Sequence, residues 1–323
     1  MFYNIPMITY FSASDFYKNL FGQKVYKISL DAGCTCPTRD GTKGIGGCIF
    51  CSASGSGDFA SSKNLSIKEQ VEQAKKLVEN KLSSKNKNQE KKYIAYFQNF
   101  TNTYGNQEEL LEKFTQAINQ ENIVGLAIGT RPDCLSDEMI KKISELRPIN
   151  YLNNQEFHIS IELGFQTCNE NSAKFIRRGY ENSVYTDCVN RIHKIAPDIH
   201  VVTHLIFGLP DETQIDMLKS VEFVLNAQTD GIKFTVLHVL ENTDLANLWK
   251  EGKVQTLSQN EYFEILKKSL QLINSFENTN QIDKKIVVHR LTGDGAKKIL
   301  LAPMWTANKK KVLNDLSSFL KNN

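Results

Sequence analysis

The segment Asp-Ala-Gly-Cys-Thr-Cys-Pro-Thr-Arg-Asp-Gly-Thr-Lys-Gly-Ile-Gly-Gly-Cys-Ile-Phe-Cys, residues 31–51, decides how the rest of this chain is interpreted. It contains four of the seven cysteines, between Cys34 and Cys51. It follows Lys24–Asp31, where apolar and polar residues alternate as they do in a β-strand. Cysteines crowded in this way are more typical of metal binding in a reducing compartment than of disulfides.

The spacing within this segment separates Cys36 from Cys48 by eleven residues and Cys48 from Cys51 by two. Three thiolates can bind three irons of a [4Fe–4S] cluster and leave the fourth iron open to an external chelator. A zinc site of four thiolates that includes Cys34 is the alternative. The uneven spacing favours the cluster, so we expect Cys34 to be an ordinary loop residue.

Strands and helices alternate along the chain as far as residue 240. The predicted strands are 24–31, 93–97, 123–128, 157–163, 199–207 and 231–237, and the predicted helices are 67–82, 107–118, one opened by Ser136, 169–176, 183–195 and 213–226. Short links between alternating elements indicate a parallel α/β sheet. Six strands predict a partial (βα)6 barrel similar to a TIM barrel. The cysteine segment then lies at the carboxyl end of the sheet, where such barrels carry their active sites.

The pattern changes after residue 240. We predict a C-terminal α+β cap, residues 241–323, packed on a core barrel of residues 1–240 as one compact unit. The cap contains a helix at 259–276, a strand at 286–288, a glycine-rich turn at 293–295 and a basic helix from about 309.

Composition narrows the class of protein without identifying a partner. A net charge of +3 and a pI near 8.3 are too mild to indicate a nucleic-acid-binding protein by bulk charge. The sequence lacks an apolar run of membrane-spanning length, and its first residues lack the basic and apolar regions of a signal peptide. We therefore expect a cytoplasmic protein that does not bind a membrane.

Short motifs occur over nearly the whole chain. Besides 31–42 and 46–51, they are Tyr-Phe-Gln-Asn-Phe-Thr-Asn-Thr-Tyr (96–104), Gly-Thr-Arg-Pro-Asp-Cys-Leu (129–135), Glu-Leu-Gly-Phe-Gln-Thr (162–167), Arg-Arg-Gly-Tyr (177–180), His-Leu-Ile-Phe-Gly-Leu-Pro-Asp-Glu-Thr (204–213) and Arg-Leu-Thr-Gly-Asp (290–294). In these motifs the sequence resembles the radical S-adenosylmethionine (SAM) proteins related to the catalytic subunit of elongator, and among them a stand-alone bacterial branch.

The resemblance implies a radical SAM enzyme without an acetyltransferase domain. Its [4Fe–4S] cluster, held by Cys36, Cys48 and Cys51, would cleave SAM to a 5′-deoxyadenosyl radical, with electrons from a reductase, flavodoxin or ferredoxin. The implied substrate is tRNA, in which a carboxymethylaminomethyl group at C5 of the wobble uridine becomes aminomethyl. Two alternatives remain: a radical SAM enzyme acting on a peptide or small metabolite, and a non-catalytic RNA-binding protein stabilised by zinc.

The resemblance also implies which residues contact SAM. These are Gln98, Thr101, Asn102 and Thr103 beside its methionine end, Glu162 and Gln166 at the ribose, Arg178 at the carboxylate, and Leu205, Gly208 and Leu209 along the adenine. Asn and Thr are equally typical of a local turn at 101–103, and Arg177 could replace Arg178.

Further polar residues have two interpretations each. Arg131 could face the pocket or form a helix-entry turn with Asp133, and Lys233 and His238 could bind a substrate phosphate or transfer a proton. Cys168 is a candidate for quenching a radical, although a buried thiol is the default. Lysines at 83–92 and 309–311 could contact RNA phosphates, but such runs usually form solvated surfaces.

Overall fold

The computed structural model describes residues 8–55, 62–79, 90–151, 155–281 and 284–322. Most of the polar stretch 83–92 lies outside these residues. The strands are β1 (Phe11–Ser12), β2 (Val25–Leu30), β3 (Lys92–Phe97), β4 (Ile123–Thr130), β5 (His158–Gln166), β6 (His200–Phe207), β7 (Gly231–Val236), β8 (Val239–Leu240), β9 (Val287–Arg290) and β10 (Leu300–Ala302). The helices are α1 (Ala13–Phe21), α2 (Ile67–Glu79), α3 (Gln107–Ile118), α4 (Asp137–Ser144), α5 (Glu170–Phe175), α6 (Asn182–Ile195), α7 (Gln214–Asn226), α8 (Asp244–Lys250), α9 (Gln259–Thr279) and α10 (Lys309–Asn322).

Eight strands form one parallel sheet in the order β1-β9-β7-β6-β5-β4-β3-β2. The six strands β2 to β7 are those predicted from the sequence, so the partial TIM-like barrel is confirmed. The C-terminal part adds helices and the antiparallel pair β8 and β10, as an α+β region should. The sequence did not predict that β1 and β9 join the sheet. These strands have only two and four residues and lie at opposite ends of the chain, so their pairing leaves no alternation of apolar and polar residues to detect.

One face of the sheet packs against the helices. Alternate residues of the strands, such as Leu126, Ile161, Leu205 and Phe234, are fully buried in this apolar core. Alternation along a strand sends the intervening side chains to the opposite, concave face. Among the described residues, no helix is both long and apolar enough to cross a membrane.

The concave face is polar. Lys27 on β2 contacts Glu162 on β5, and Lys233 on β7 contacts Tyr96 on β3. Neither pair of strands is adjacent in the sheet, so these side chains meet across the interior of the curled sheet. In closed barrels this space is filled by layers of branched aliphatic side chains. Here the polar side chains leave an interior suited to a ligand.

Helix α1 covers the amino end of the barrel and was not predicted. Its local signals are nevertheless clear: the Ser12 side chain accepts a hydrogen bond from Asp15 N, and Gly22 ends the helix at a φ of 72°. Phe16 of α1 stacks on His200, with ring centroids 5.0 Å apart. His200 Nε2 lies 2.8 Å from His289 Nε2.

The histidines beneath α1 make stability dependent on pH. Burial lowers the pKa of His158 to about 3 and holds those of His200 and His289 well below 6.5. In the unfolded chain each histidine binds a proton near pH 6.5, whereas in the folded protein it does not. We therefore expect the free energy of unfolding to fall between pH 7.5 and 5.5 by up to about 1.4 kcal/mol per histidine.

Urea unfolding followed over this pH range measures the effect. A His200→Gln variant should lose less stability on acidification than the parent protein. His193→Gln is the matched control, since His193 lies on α6 outside this cluster. Equal pH dependence of His200→Gln and His193→Gln would contradict the assignment.

Candidate active site

The cysteine loop leaves β2 at the carboxyl end of the sheet and is held against the neighbouring loop. Cys36 Sγ lies 3.0 Å from Thr101 Oγ1, and Thr101 N donates to Thr35 O. Cys48 and Cys51 share a turn in which Cys51 N donates to Cys48 O at 3.0 Å. Thr101 is therefore the residue of the predicted 98–103 group whose side chain contacts the thiol of Cys36.

Apolar contacts fix the other end of the loop. Ile49, between Cys48 and Cys51, is buried with Ile176 and Leu209 in a second apolar cluster. Ile49 N donates to Ile176 O, and Leu245 N at the start of α8 donates to Ile49 O at 2.9 Å. The loop is thereby held between the barrel and the C-terminal region.

The three thiols influence one another. Burial raises the pKa of Cys48 to about 12, the charges of Cys51 and Cys36 add to this effect, and nearby arginines oppose it. Burial also raises the pKa of Cys36, against the Thr101 hydrogen bond and Arg131. Thiols that disfavour ionisation when alone need a compensating positive charge to act as ligands.

An iron–sulfur cluster supplies that charge, and it takes one thiolate per iron. The three thiols therefore fit a [4Fe–4S] cluster on the chemistry of the donor set. In the described part of the chain, no three His, Cys, Asp or Glu side chains converge on a site for a single metal ion.

Cys34 has different surroundings. Its side chain packs against the helix-facing core, and burial raises its pKa to about 12. The Cys34→Ala variant should therefore retain its iron, measured as iron and acid-labile sulfide in protein purified without oxygen. Cys48→Ala provides the comparison. Equal loss of iron in both variants would contradict the three-cysteine set and favour four thiolates.

Asn102 and Thr103 form the local turn that the sequence left open. The Asn102 amide donates to the carbonyls of Phe97, Asn99 and Gly129. Thr103 Oγ1 donates to Cys134 O at 2.6 Å. These contacts tie the loop after β3 to the end of β4, while their predicted SAM contacts stay predictions.

Gln98 faces the concave side, where its Oε1 accepts a hydrogen bond from Ser29 Oγ at 3.0 Å. Gln166 ends β5 at an irregular register with β6 and has a φ of 69°. A Cβ at Gly164 would lie 2.8 Å from Gln166 Nε2, so the glycine makes room for this amide. Both amides border the carboxyl end of the interior, as a contact with SAM requires.

Arg178 differs from the sequence expectation. Its side chain is buried, Nε donates to Tyr180 O, and NH1 donates to Phe165 O and Thr167 O. NH2 donates to Glu170 and Asn182. These five contacts occupy the donors of the guanidinium, which leaves none for a SAM carboxylate.

Arg131 faces the cysteines instead. Its guanidinium forms two hydrogen bonds to Asp133, at 2.9 and 3.0 Å, and lies over the Tyr180 ring. Its charge acts on the thiols of Cys36 and Cys48. Arg131 thus forms the predicted turn with Asp133, while its place in the pocket stays a prediction. Arg177 pairs with Asp244 at 2.5 Å.

The segment predicted to line the adenine has mixed surroundings. Leu205 is buried in the helix-facing core, whereas Leu209 packs in the apolar cluster beside Ile49. Gly208 has a φ of 84°, and a Cβ there would lie 2.8 Å from Leu257 Cγ. The Leu205 side chain therefore points away from the concave face, and its predicted contact involves the backbone alone.

Glu162 lies at the centre of the barrel interior. Its carboxylate accepts hydrogen bonds from Lys27 Nζ at 2.6 Å, from His204 Nε2 at 2.9 Å and from Lys233 Nζ. Burial alone would raise the pKa of Glu162, but Lys233 and Lys27 hold it well below its ordinary value. Each of its oxygens thus already has a lysine partner, and the predicted contact with the ribose hydroxyls stays a prediction.

The sequence analysis missed two interior residues, Lys27 and Tyr96. The signal for Lys27 was a lysine at an inward position of a strand that alternates regularly. The Lys233 ammonium lies over the Tyr96 ring, 4.5 Å from its centroid. Burial lowers the pKa of Lys233 to about 7. His238, the other residue proposed for proton transfer, has a buried Nε2 with no hydrogen-bond partner in the described residues.

Comparisons with known proteins show the family of this chain. A family model described as the radical SAM superfamily matches residues 42–224, and a radical SAM C-terminal domain model matches residues 229–322. The uncharacterized protein YtqA of Bacillus subtilis is 38% identical over 302 residues, 94% of this chain and 86% of the relative. Protein YhcC of Escherichia coli is 32% identical, over 93% of this chain and 88% of the relative.

The fold is similar to that of the archaeal Elp3 of Methanocaldococcus infernus. The two structures superpose with a TM-score of 0.62 at 16% sequence identity, over 91% of this chain. The match spans 63% of the Elp3 chain.

Proposed function

This chain belongs to the radical SAM superfamily, whose enzymes use a [4Fe–4S] cluster and SAM, and we propose that it acts on tRNA. Its substrate is the C5 side chain of the wobble uridine, in which carboxymethylaminomethyl is converted to aminomethyl. When bound, the cofactors supply a radical that abstracts a hydrogen atom from the substrate. A reductase, flavodoxin or ferredoxin of the cytoplasm supplies the electron.

In this proposal Cys36, Cys48 and Cys51 hold the cluster. Arg131 places a positive charge beside their thiols, and Thr101 fixes Cys36. Gln98 and Gln166 border the SAM site at the carboxyl ends of β3 and β5.

The observation that carries the proposal is the polar lining of the barrel interior, where a closed barrel would have aliphatic side chains. His204 and Lys27 keep 24% and 21% of their side-chain surface exposed there, although they lie between strands of the barrel. An interior filled with aliphatic side chains could not admit a base turned out of an RNA loop. Enzymes that modify a base must take it out of its stack into such a pocket.

A basic surface on the C-terminal region supports RNA as the partner. Lys297, Lys298 and Lys310 border a surface pocket of about 700 Å³ and have no acidic partner in the described residues. Of the predicted run 309–311, Lys309 pairs with Asp294 and Lys311 pairs with Asp315, so Lys310 is the lysine of the run that remains available. Unpaired lysines are the groups that contact RNA phosphates.

The function is tested by mass spectrometry of wobble nucleosides from a strain that lacks this gene. We expect carboxymethylaminomethyl nucleosides to accumulate and aminomethyl derivatives to disappear. The wild-type gene should restore the profile, and a gene with Cys48→Ala should not. A profile unchanged by the deletion contradicts the tRNA substrate, and formation of 5′-deoxyadenosine by the purified protein then leaves a peptide or metabolite substrate.

A further inference from the structure

The interior wall opposite β3 is formed by β7 and β9, whose pairing is irregular. Gly231 and Ile232 pair with Val287 and Val288, whereas Lys233 pairs with Arg290. One extra residue in β9, His289, is thus accommodated as in a β-bulge. His289 contacts His200 across the interior, and Arg290 stands at the level of Lys233.

Arg290 is the register partner of Lys233 on the neighbouring strand, so the two side chains leave the sheet on the same face. The charge of Arg290 acts on Tyr96, His204 and Lys233, which belong to three different strands. Arg290 Nε donates a long hydrogen bond to Phe234 O, at 3.4 Å. Among the described residues, no carboxylate pairs with Arg290.

The interior therefore carries more positive than negative charge. In the part of the chain that the structure describes, Lys27, Lys233 and Arg290 share the interior with one carboxylate, Glu162, which already pairs with both lysines. Burying a guanidinium without a counter-charge is costly, and an anionic ligand next to it removes part of that cost. A guanidinium binds a carboxylate through two parallel hydrogen bonds, which fixes the orientation of the ligand.

We propose that Arg290, with Lys233 beside it, forms an anion subsite that binds a carboxylate of the substrate inside the barrel. The identity of that carboxylate rests on the proposed function: it is the carboxymethyl group of the modified uridine. Lys233 supports the subsite as a neighbouring donor, because contacts with Glu162 and Tyr96 hold its amine beside Arg290. The reaction product lacks this carboxylate, so the subsite favours substrate over product.

The subsite is tested by binding, without turnover. Cluster-loaded protein, kept free of oxygen and reductant, is titrated into labelled anticodon stem-loop RNA and followed by fluorescence anisotropy. One RNA carries carboxymethylaminomethyluridine, and the matched RNA carries its neutral carboxamide. The wild-type protein should bind the carboxylate RNA about tenfold more tightly than the carboxamide, as expected for a charged hydrogen bond.

Variants assign the discrimination to a residue. Arg290→Gln should lower the affinity ratio to about one, and Arg290→Lys should retain part of it. Lys298→Gln is the control, since a surface lysine should affect both RNAs equally and leave the ratio unchanged. Thermal unfolding of each variant shows that it is folded.

The outcomes separate this inference from the proposed function. A ratio near one in the wild-type protein, or a tenfold ratio that persists in Arg290→Gln, overturns the subsite even if cells show turnover. Discrimination in vitro with an unchanged nucleoside profile in cells supports the subsite and contradicts the proposed reaction. If neither modified RNA binds better than RNA with plain uridine, the carboxylate assignment is overturned.

Discussion

Replacing Cys48 by serine is expected to abolish the reductive cleavage of SAM and to lower the bound iron. A serine hydroxyl is a poor ligand for iron because it does not ionise at neutral pH, so the cluster loses one of three protein ligands. Loss of a supporting group near a metal lowers affinity or activity by about 10 to 100-fold, and loss of a ligand should exceed that. Iron content and 5′-deoxyadenosine formed with dithionite measure the effect.

Cys168→Ser is the matched control for this experiment. Cys168 lies beyond β5, where its thiol is 3.4 Å from Ser220 Oγ, and the variant should retain both iron and SAM cleavage. Cleavage at the wild-type rate in Cys48→Ser would contradict the ligand assignment. Loss of cleavage in Cys168→Ser with full iron content would instead give that thiol a role in the reaction.

Replacing Glu162 by glutamine is expected to destabilise the protein by about 3 to 5 kcal/mol, because it leaves the Lys27 ammonium without its counter-charge and removes the charged acceptor of Lys233. Lys27 and Lys233 both depend on this one carboxylate, which is fully buried. Urea unfolding at pH 7.5 measures the loss. A glutamine has nearly the same shape and can still accept hydrogen bonds. The difference in unfolding free energy between the two proteins therefore measures the effect of the charge.

Two further variants make this result specific. Glu145→Gln, at the exposed end of α4, should change stability by less than about 0.5 kcal/mol. Adding Lys27→Met to Glu162→Gln should recover part of the lost stability, since the unpaired ammonium is then removed together with its partner. Equal stability of Glu162→Gln and the parent protein would show that the lysines find water or another acceptor.

Local sequence predicted most of the regular structure. The Ser136 side chain caps α4 by accepting from Met139 N, and Thr213 caps α7 in the same way with Asp216. Such signals act within one turn of a helix, so they can be identified without the fold. The cap of α1 at Ser12 is of the same kind, so the local sequence also contains the signal for this helix.

The partners of arginines were the least predictable part of the site. Arg178 and Arg131 both belong to motifs, yet Arg178 binds backbone carbonyls at the end of β5 while the charge of Arg131 acts on the thiols. A long side chain reaches many positions, and its partner depends on how separate loops pack. The sequence could identify the candidates, but it could not rank them.

By itself the sequence determined the strand and helix alternation, the cysteine loop after the first strand and the family, because hydrophobic period, caps and thiol spacing act over short stretches of chain. Only the tertiary structure decided what fills the barrel. It brought Lys27, Glu162 and Lys233 together across the hollow and, by one irregular pairing in β9, added Arg290 beside them. These residues are far apart in the chain, and their charges interact only because the curled sheet excludes most of the water between them.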